Sequence, residues 1–304
     1  MKKQCVFALL CISLILATTL VNIALAEEEN QVGANEIEQL DDRQLNVEEE
    51  GQNINIQSTF ENGTVENQYD MQFSTSNGMH LKLGFSHEVN STDFELEVEV
   101  LFQSLVEYID QNKDGVLSDG EAVQTVDLTT KQYSAPNVTQ ITSADAKPGY
   151  RIESHIIDET FTFQIYADVF STVALVDGGT VKPSEAKVTI LIKDFPYQQN
   201  GSLALLIKTG SETKMQEEDH ESEGEVEVNT QTAQGYFSWA KEAVVDNATS
   251  TVNSTVINTE EGKLVELSYA NGKEIIHDPK LGFNLLAAVS SMPWFYIAAG
   301  AAIM

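Results

Sequence analysis

Apolar and polar residues alternate over most of the segment 53–278, and this period of two is the feature that most restricts the fold. In one such run Met79, Leu81 and Leu83 are separated by His80 and Lys82. Successive side chains of a β-strand point to opposite faces, so each run predicts a strand with one face on a core and one in water. Many short strands favour an antiparallel β-sandwich, as one large or two small domains, over an α/β fold.

Turn residues and charge placement support the same interpretation. Asn77-Gly78 and Asn271-Gly272 each lie between two strand-like runs, and each pair predicts a tight hairpin. Glu95, Glu97 and Glu99 occupy the polar positions of one alternating run. We therefore expect this acidic stripe to be a solvated strand face.

The segment Asp110–Glu121, DQNKDGVLSDGE, interrupts the alternation with oxygen-bearing side chains at regular spacing. It resembles the EF-hand calcium loop, whose ligands come from positions 1, 3, 5, 7, 9 and 12, with glycine at position 6. The resemblance covers twelve residues of the 304-residue chain and implies one Ca²⁺ site. The implied ligands are Asp110, Asn112, Asp114, the Val116 carbonyl, Ser118 through a water, and Glu121. Gly115 falls where the turn needs a positive φ. The alternative is a solvated acidic turn that matches the motif by accident.

The segment 101–127 as a whole is predicted to be an EF-hand-like insert. Phe102, Leu105, Val106 and Ile109 are spaced by three and four, which predicts an incoming helix. The residues after Glu121 predict only a turn or two of helix. Leu117 holds position 8, which in paired EF-hands meets a second loop. The sequence has no second loop, so we expect Leu117 to pack against the β body and the site to be weak and structural.

Residues 1–26 are predicted to be a secretory signal peptide. Lys2 and Lys3 precede an uncharged apolar run, and Ala24-Leu25-Ala26 offers a small-x-small cleavage site. An uncleaved anchor is the alternative. Cys5 and Cys11 both lie in this segment, so the mature chain would contain no disulfide.

The C-terminal segment 281–304 contains no charged residue and is predicted to be a helical membrane anchor. As a helix it would rise ~36 Å, enough for a hydrocarbon core of ~30 Å. A lipid-anchor signal and a buried helix of the soluble domain are the alternatives. A helical membrane anchor or a lipid anchor would place the ectodomain 53–278 at the cell surface, tethered by its C-terminus.

Two segments carry much of the net charge of −30. The first, 27–52, is predicted to be a disordered acidic leader, and the second, 211–229, an acidic loop, because both are poor in aromatic residues. No basic stripe is present to meet phosphates, which argues against nucleic-acid binding.

The sequence contains no complete catalytic motif, so we name no catalytic residue and expect no enzyme. Ser184 to Lys187 and Lys208 to Gly210 match fragments of the penicillin-binding serine enzymes, but Ser184 leads into a predicted strand rather than a helix.

Six glycosylation sequons suggest a surface glycoprotein; they begin at Asn62, Asn90, Asn137, Asn200, Asn247 and Asn253. We expect a calcium-binding surface protein with a role in adhesion, envelope architecture or capture of an extracellular protein or glycan. The alternative is a calcium-stabilised extracellular hydrolase, acting on glycans.

Overall fold

The computed structural model describes residues 43–285, except 63–64, 90–91, 158, 212–214, 220–222, 231–232 and 260–261. The predicted signal peptide and most of the predicted leader and anchor lie outside these residues. Every regular element in the described part of the chain is a β-strand. In chain order the strands are β1 (Gln44–Glu50), β2 (Asn53–Asn62), β3 (Val65–Ser74), β4 (His80–Val89), β5 (Thr92–Tyr108), β6 (Ala122–Asp127), β7 (Asn137–Thr142), β8 (Pro148–His155), β9 (Thr162–Phe170), β10 (Ala174–Val176), β11 (Gly179–Val181), β12 (Glu185–Lys193), β13 (Ser202–Gly210), β14 (Met215–Asp219), β15 (Glu223–Asn229), β16 (Ala233–Ala240), β17 (Glu242–Val245), β18 (Ala248–Thr251), β19 (Asn253–Thr259), β20 (Gly262–Tyr269), β21 (Glu274–His277) and β22 (Lys280–Leu285).

Most of these strands form two large antiparallel sheets. The first has the order β1-β2-β3-β4-β5-β13-β20-β19, with β6 also paired to β5. The second follows the path β14-β15-β16-β22-β12-β21-β17-β18, and β9, β8 and β7 extend it from β12. Strands β10 and β11 form a separate hairpin. The prediction of a mainly β, antiparallel protein is confirmed.

One hydrophobic cluster contains inward-facing residues of both large sheets. Phe283 of the second sheet stacks near Tyr69 and Phe85 of the first, with ring centroids 6.4 and 5.8 Å away. Phe102 and Phe163 meet edge to face across the same core at 5.8 Å. Burial of each side chain of this size contributes about 1.5–3 kcal/mol to the free energy of folding, so the alternation of apolar and polar residues strongly favours this packing.

The prediction of a helix before Asp110 is wrong, because Phe102, Leu105 and Val106 all lie in strand β5. Phe102 and Leu105 pair with Ile207 and Leu205 of β13, and the register shifts between them. The residue left over is Gln103, so a β-bulge produces a spacing of three on one face. Val106 and Tyr108 point to the other face, where they form a small second cluster with Ala204. The expected outgoing helix is also a strand, β6.

Both acidic segments contain strands that composition alone did not reveal. Strand β1 lies inside the predicted disordered leader, and Leu45 and Val47 pack against the core. Strands β14 and β15 lie inside the predicted acidic loop, where Val226 and Val228 are fully buried. In β15 Glu225 and Glu227 alternate with Val226 and Val228, and in β1 Leu45 and Val47 alternate with polar residues, so average composition hides an amphipathic pattern.

The two predicted hairpins have different outcomes. Asn77-Gly78 lies in the connection 75–79 between β3 and β4, which pair along their length, so a hairpin forms here; only Gly78 of the pair has a positive φ, 94°, so the turn is not of the two-residue type. Asn271-Gly272 instead carries the chain from β20 in the first sheet to β21 in the second. Asn271 and Gly272 both lack the positive φ that a two-residue hairpin of this type requires. The Asn271 amide donates to the Gly201 carbonyl at 3.0 Å, which holds the crossover in place.

The first part of the predicted C-terminal anchor, through Leu285, is strand rather than helix. Leu281 and Phe283 alternate with Gly282 and are buried in the shared core as part of β22. The rest of the predicted anchor lies outside the described residues. No helix capable of spanning a membrane is found in the described part of the chain.

The buried His277 predicts a pH dependence of stability. Its Nε2 lies 2.8 Å from the Ala240 carbonyl, which can only accept, so Nε2 carries the proton and Nδ1 accepts from the Tyr269 hydroxyl at 3.0 Å. Burial lowers the pKa of His277 from 6.5 to about 4, although the bond to Ala240 favours the charged form. Between these pH values the unfolded chain binds more protons than the folded one. Stability should therefore fall as pH drops from 6.5 to 4, by about 3 kcal/mol in total.

Urea denaturation of the full chain across this range provides the measurement, compared with the variants His277→Gln and, as a control, exposed His155→Gln. The first variant should lose this part of the pH dependence, and the control should keep it. Parallel curves for wild type and His277→Gln would show that the imidazole is not the group responsible.

Candidate metal centre

The predicted calcium loop connects β5 to β6. The Ile109 N–H donates to the Glu121 carbonyl at 3.1 Å, which continues the pairing of the two strands and joins the ends of the loop. The loop is thus held by a strand pair at the point where an EF-hand uses two helices. Its base is rigid because β5 also pairs with β13 from Glu99 to Tyr108, the part of the strand next to the loop.

Side-chain oxygens in the first half of the loop bend its backbone. One oxygen of Asp110 accepts the Gly115 N–H at 3.0 Å. Asn112 and Asp114 accept the N–H groups of Asp114 and Val116, also at 3.0 Å. Gly115 has the expected positive φ, 81°. A side chain at this position would also collide with Asn253, whose amide nitrogen would lie 2.3 Å from the added carbon.

The side chains of positions 3, 5 and 9 touch one another. The Asn112 amide donates to Asp114 at 2.7 Å and lies 3.1 Å from the Ser118 hydroxyl. That hydroxyl donates to Asp114 at 3.2 Å. The N–H of Val116 holds the pKa of Asp114 below its ordinary value against the opposing effect of burial, with support from Asn112 and Ser118.

Glu121 closes the loop from the other side. Its carboxylate accepts the N–H groups of Gln111 and Asn112 at 2.8 and 3.3 Å and that of Ser118 at 3.0 Å. Its side chain is buried. The structure therefore brings the five predicted side-chain ligands into one loop, and Val116 joins them through its main chain.

One buried side-chain oxygen in this loop has no hydrogen-bond partner. The second oxygen of Asp110, Oδ1, is inaccessible to solvent and accepts no hydrogen bond. A buried carboxylate oxygen without a partner is costly, and a bound cation is one way to satisfy it. The residues therefore fit a calcium ion, which prefers six to eight carboxylate, amide, carbonyl and water oxygens.

The described residues contain no group of three or more His, Cys, Asp or Glu side chains that could hold a metal. The predicted ligands include three carboxylates, Asp110, Asp114 and Glu121, and in this structure they accept N–H groups of the loop instead of converging into such a group.

Three side chains outside the loop hold its middle, at Gly115 and Leu117. Glu266 of β20 accepts the Leu117 N–H at 2.6 Å. The Tyr108 hydroxyl and the Asn253 amide donate to the Gly115 carbonyl at 3.0 and 3.1 Å. The Leu117 side chain packs against the Val106–Tyr108–Ala204 cluster, which confirms the expected contact with the β body.

Sequence reasoning missed Glu266 and Asn253 as parts of this site. Glu266 lies 149 positions from Leu117, and nothing in its own neighbourhood marks it. Asn253 was identified only as a sequon. Its Nδ2, the atom to which an N-glycan is joined, is here bonded to the loop.

Glu107 fixes the neighbouring turn. Its buried carboxylate accepts the N–H groups of Gln198, Gln199 and Gly201 at 2.7, 2.8 and 3.1 Å, and the Gln124 amide at 3.0 Å. Burial alone would raise its pKa, but these hydrogen bonds hold the pKa below its ordinary value.

Two further sequence features lie on or beside strands. Glu97 and Glu99 of the predicted solvated stripe pair with Lys82 and His80, each at 2.5 Å. Ser184 precedes strand β12, as expected, and not a helix. The chain matches no protein-family model, and no curated protein shows significant similarity to it.

The variant Glu107→Gln should lower the free energy of unfolding by about 1–3 kcal/mol, because its amide group would face N–H donors that then lack an acceptor. Chemical denaturation of the full chain measures this loss. The exposed Glu242→Gln is the control and should be neutral. Equal stability of Glu107→Gln and wild type would mean that the turn does not depend on the carboxylate.

Proposed function

We propose that this chain is an exported, membrane-tethered surface protein in which one calcium ion, bound by the loop Asp110–Glu121, stabilises a β-sandwich. Its role is binding or structural: adhesion, envelope architecture or capture of an extracellular protein or glycan. The observation that carries the calcium proposal is the buried, unpartnered Asp110 oxygen in a loop where the side chains of Asn112, Asp114 and Ser118 are hydrogen-bonded to one another.

The sandwich proposal rests on the packing of the two sheets. Aromatic rings from β3, β4 and β5 meet rings from β22 and β9 in one shared cluster. Two sheets that bury their inner faces against each other have the layered arrangement of a sandwich.

The calcium ion would hold neighbouring strands together. The loop joins β5 to β6 and contacts β19 and β20, so an ion in it would connect four strands of the first sheet. Unpaired extracellular modules bind calcium with a Kd of about 10⁻⁴–10⁻³ M. At calcium about tenfold above Kd, binding would stabilise the folded state by about 1.4 kcal/mol.

The surface location rests on the two ends of the sequence. Segment 1–26 has the pattern of a signal peptide. Strand β22 includes the residues through Leu285, so the membrane tether would be the uncharged run 286–304. As a helix this run would rise ~28 Å. That length is close to a hydrocarbon core of ~30 Å, and the same run also suits a lipid-anchor signal.

Calcium titration of the full chain by calorimetry tests the proposed site. Wild type should bind one ion, and Asp110→Asn should bind at least about tenfold more weakly because a ligand charge is lost. Asp119→Asn is the matched control, since Asp119 is an exposed loop carboxylate at position 10, which supplies no ligand. Failure of wild type to bind, or equal weakening by both substitutions, would contradict the site.

Flotation with lipid vesicles tests the tether. The full chain should float with the vesicles, and a chain that ends at Leu285 should stay in the soluble fraction. If both versions stay soluble, 286–304 is not a membrane tether.

A further inference from the structure

Leu117, at position 8 of the loop, has an acceptor that the loop itself does not supply. In paired EF-hands this position faces a second loop, and the sequence here offers none. The Leu117 N–H instead donates to the carboxylate of Glu266 at 2.6 Å. This contact takes the place that a partner loop would occupy.

Glu266 is a fixed acceptor. It is 2 % exposed, and the same carboxylate oxygen also accepts the Ser268 hydroxyl at 2.7 Å. Its backbone is paired on both sides, with Leu206 of β13 and Thr255 of β19. A buried side chain on an internal strand has little freedom to follow the loop, so the loop must conform to it.

The geometry of the peptide bond connects this contact to a ligand. The Leu117 N–H and the Val116 carbonyl belong to one peptide unit, and no cis peptide occurs in the described residues. In a trans peptide the N–H and C=O point in opposite directions. The hydrogen bond from the Leu117 N–H to Glu266 therefore directs the Val116 carbonyl, the predicted ligand of position 7, away from Glu266.

The preceding peptide unit is held in the opposite sense. Its carbonyl, on Gly115, is bonded to Tyr108 and Asn253 outside the loop, and its N–H, on Val116, points inward to Asp114. Side chains that are not predicted ligands thus help to orient two consecutive peptide planes: Glu266 acts on one, and Tyr108 and Asn253 act on the other.

We propose that Glu266 is a positioning residue that replaces the missing second loop: by holding the Leu117 N–H it orients the Val116 carbonyl and sets the calcium affinity. This inference rests on the proposed calcium site. A ligand that is already oriented costs less entropy on binding, which raises affinity. Because such coupling is reciprocal, calcium in turn stabilises the contact between the loop and strands β19 and β20.

Two substitutions separate the hydrogen bond from other effects of Glu266. Glu266→Gln keeps an acceptor oxygen, whereas Glu266→Leu removes it. Calorimetry on the full chain should show calcium binding about tenfold weaker for Glu266→Leu and within about threefold of wild type for Glu266→Gln. Exposed Glu242→Leu is the control and should bind like wild type. Unchanged binding by Glu266→Leu, or equal weakening by Glu266→Gln, would overturn the proposal.

Hydrogen exchange of the Leu117 amide in calcium-free protein tests the contact without the ion. Exchange should quicken about tenfold in Glu266→Leu and stay near the wild-type rate in Glu266→Gln, while core amides of β12 remain protected in both. A wild type that binds no calcium but shows this pattern would refute the metal site and leave the contact standing. Calcium binding without any dependence of the Leu117 amide on Glu266 would refute the positioning role alone.

Discussion

The burial of apolar side chains between the two large sheets is the constraint on which the rest of this structure depends. Strand β5 shows how far it reaches. Val98, Val100 and Phe102 point into the shared core, and the bulge at Gln103 lets Leu105 return to the same side. Beyond the bulge both faces of the strand are covered, because Val106 and Tyr108 form the second cluster. The strand therefore leaves the core as a rigid element and delivers Asp110 at a fixed position.

A loop of this pattern does not need flanking helices to keep its shape. In an EF-hand the flanking helices fix the ends of the loop, and here the pairing of β5 with β6 and the bond from Ile109 to Glu121 do so. The hydrogen bonds within the loop depend on the residue types of the loop itself, so flanking strands in place of helices do not prevent them. What the new scaffold adds is the sheet surface beneath the loop, from which Glu266 and Asn253 reach positions 8 and 6.

The alternation of apolar and polar residues and the positive φ of Gly115 were predicted correctly, whereas average composition, a spacing of three and the Asn271-Gly272 pair were misleading. Alternation identified the core strands because each position is tied to one face, and Gly115 was identified because the turn requires its φ. The spacing of Phe102 and Leu105 was misread as helical because a bulge and a helix turn both give a separation of three. The Glu266 contact could not be predicted, because it joins residues far apart in sequence and depends on the order of β13, β20 and β19.

A crystal structure of the full chain with calcium tests the central claim most directly. We predict one ion, bound at about 2.3–2.6 Å by oxygens of Asp110, Asn112, Asp114, Val116 and Glu121. Strands β5 and β6 should remain strands, and Glu266 should still accept the Leu117 N–H. A loop without an ion in saturating calcium, or an ion held by other residues, would contradict the account.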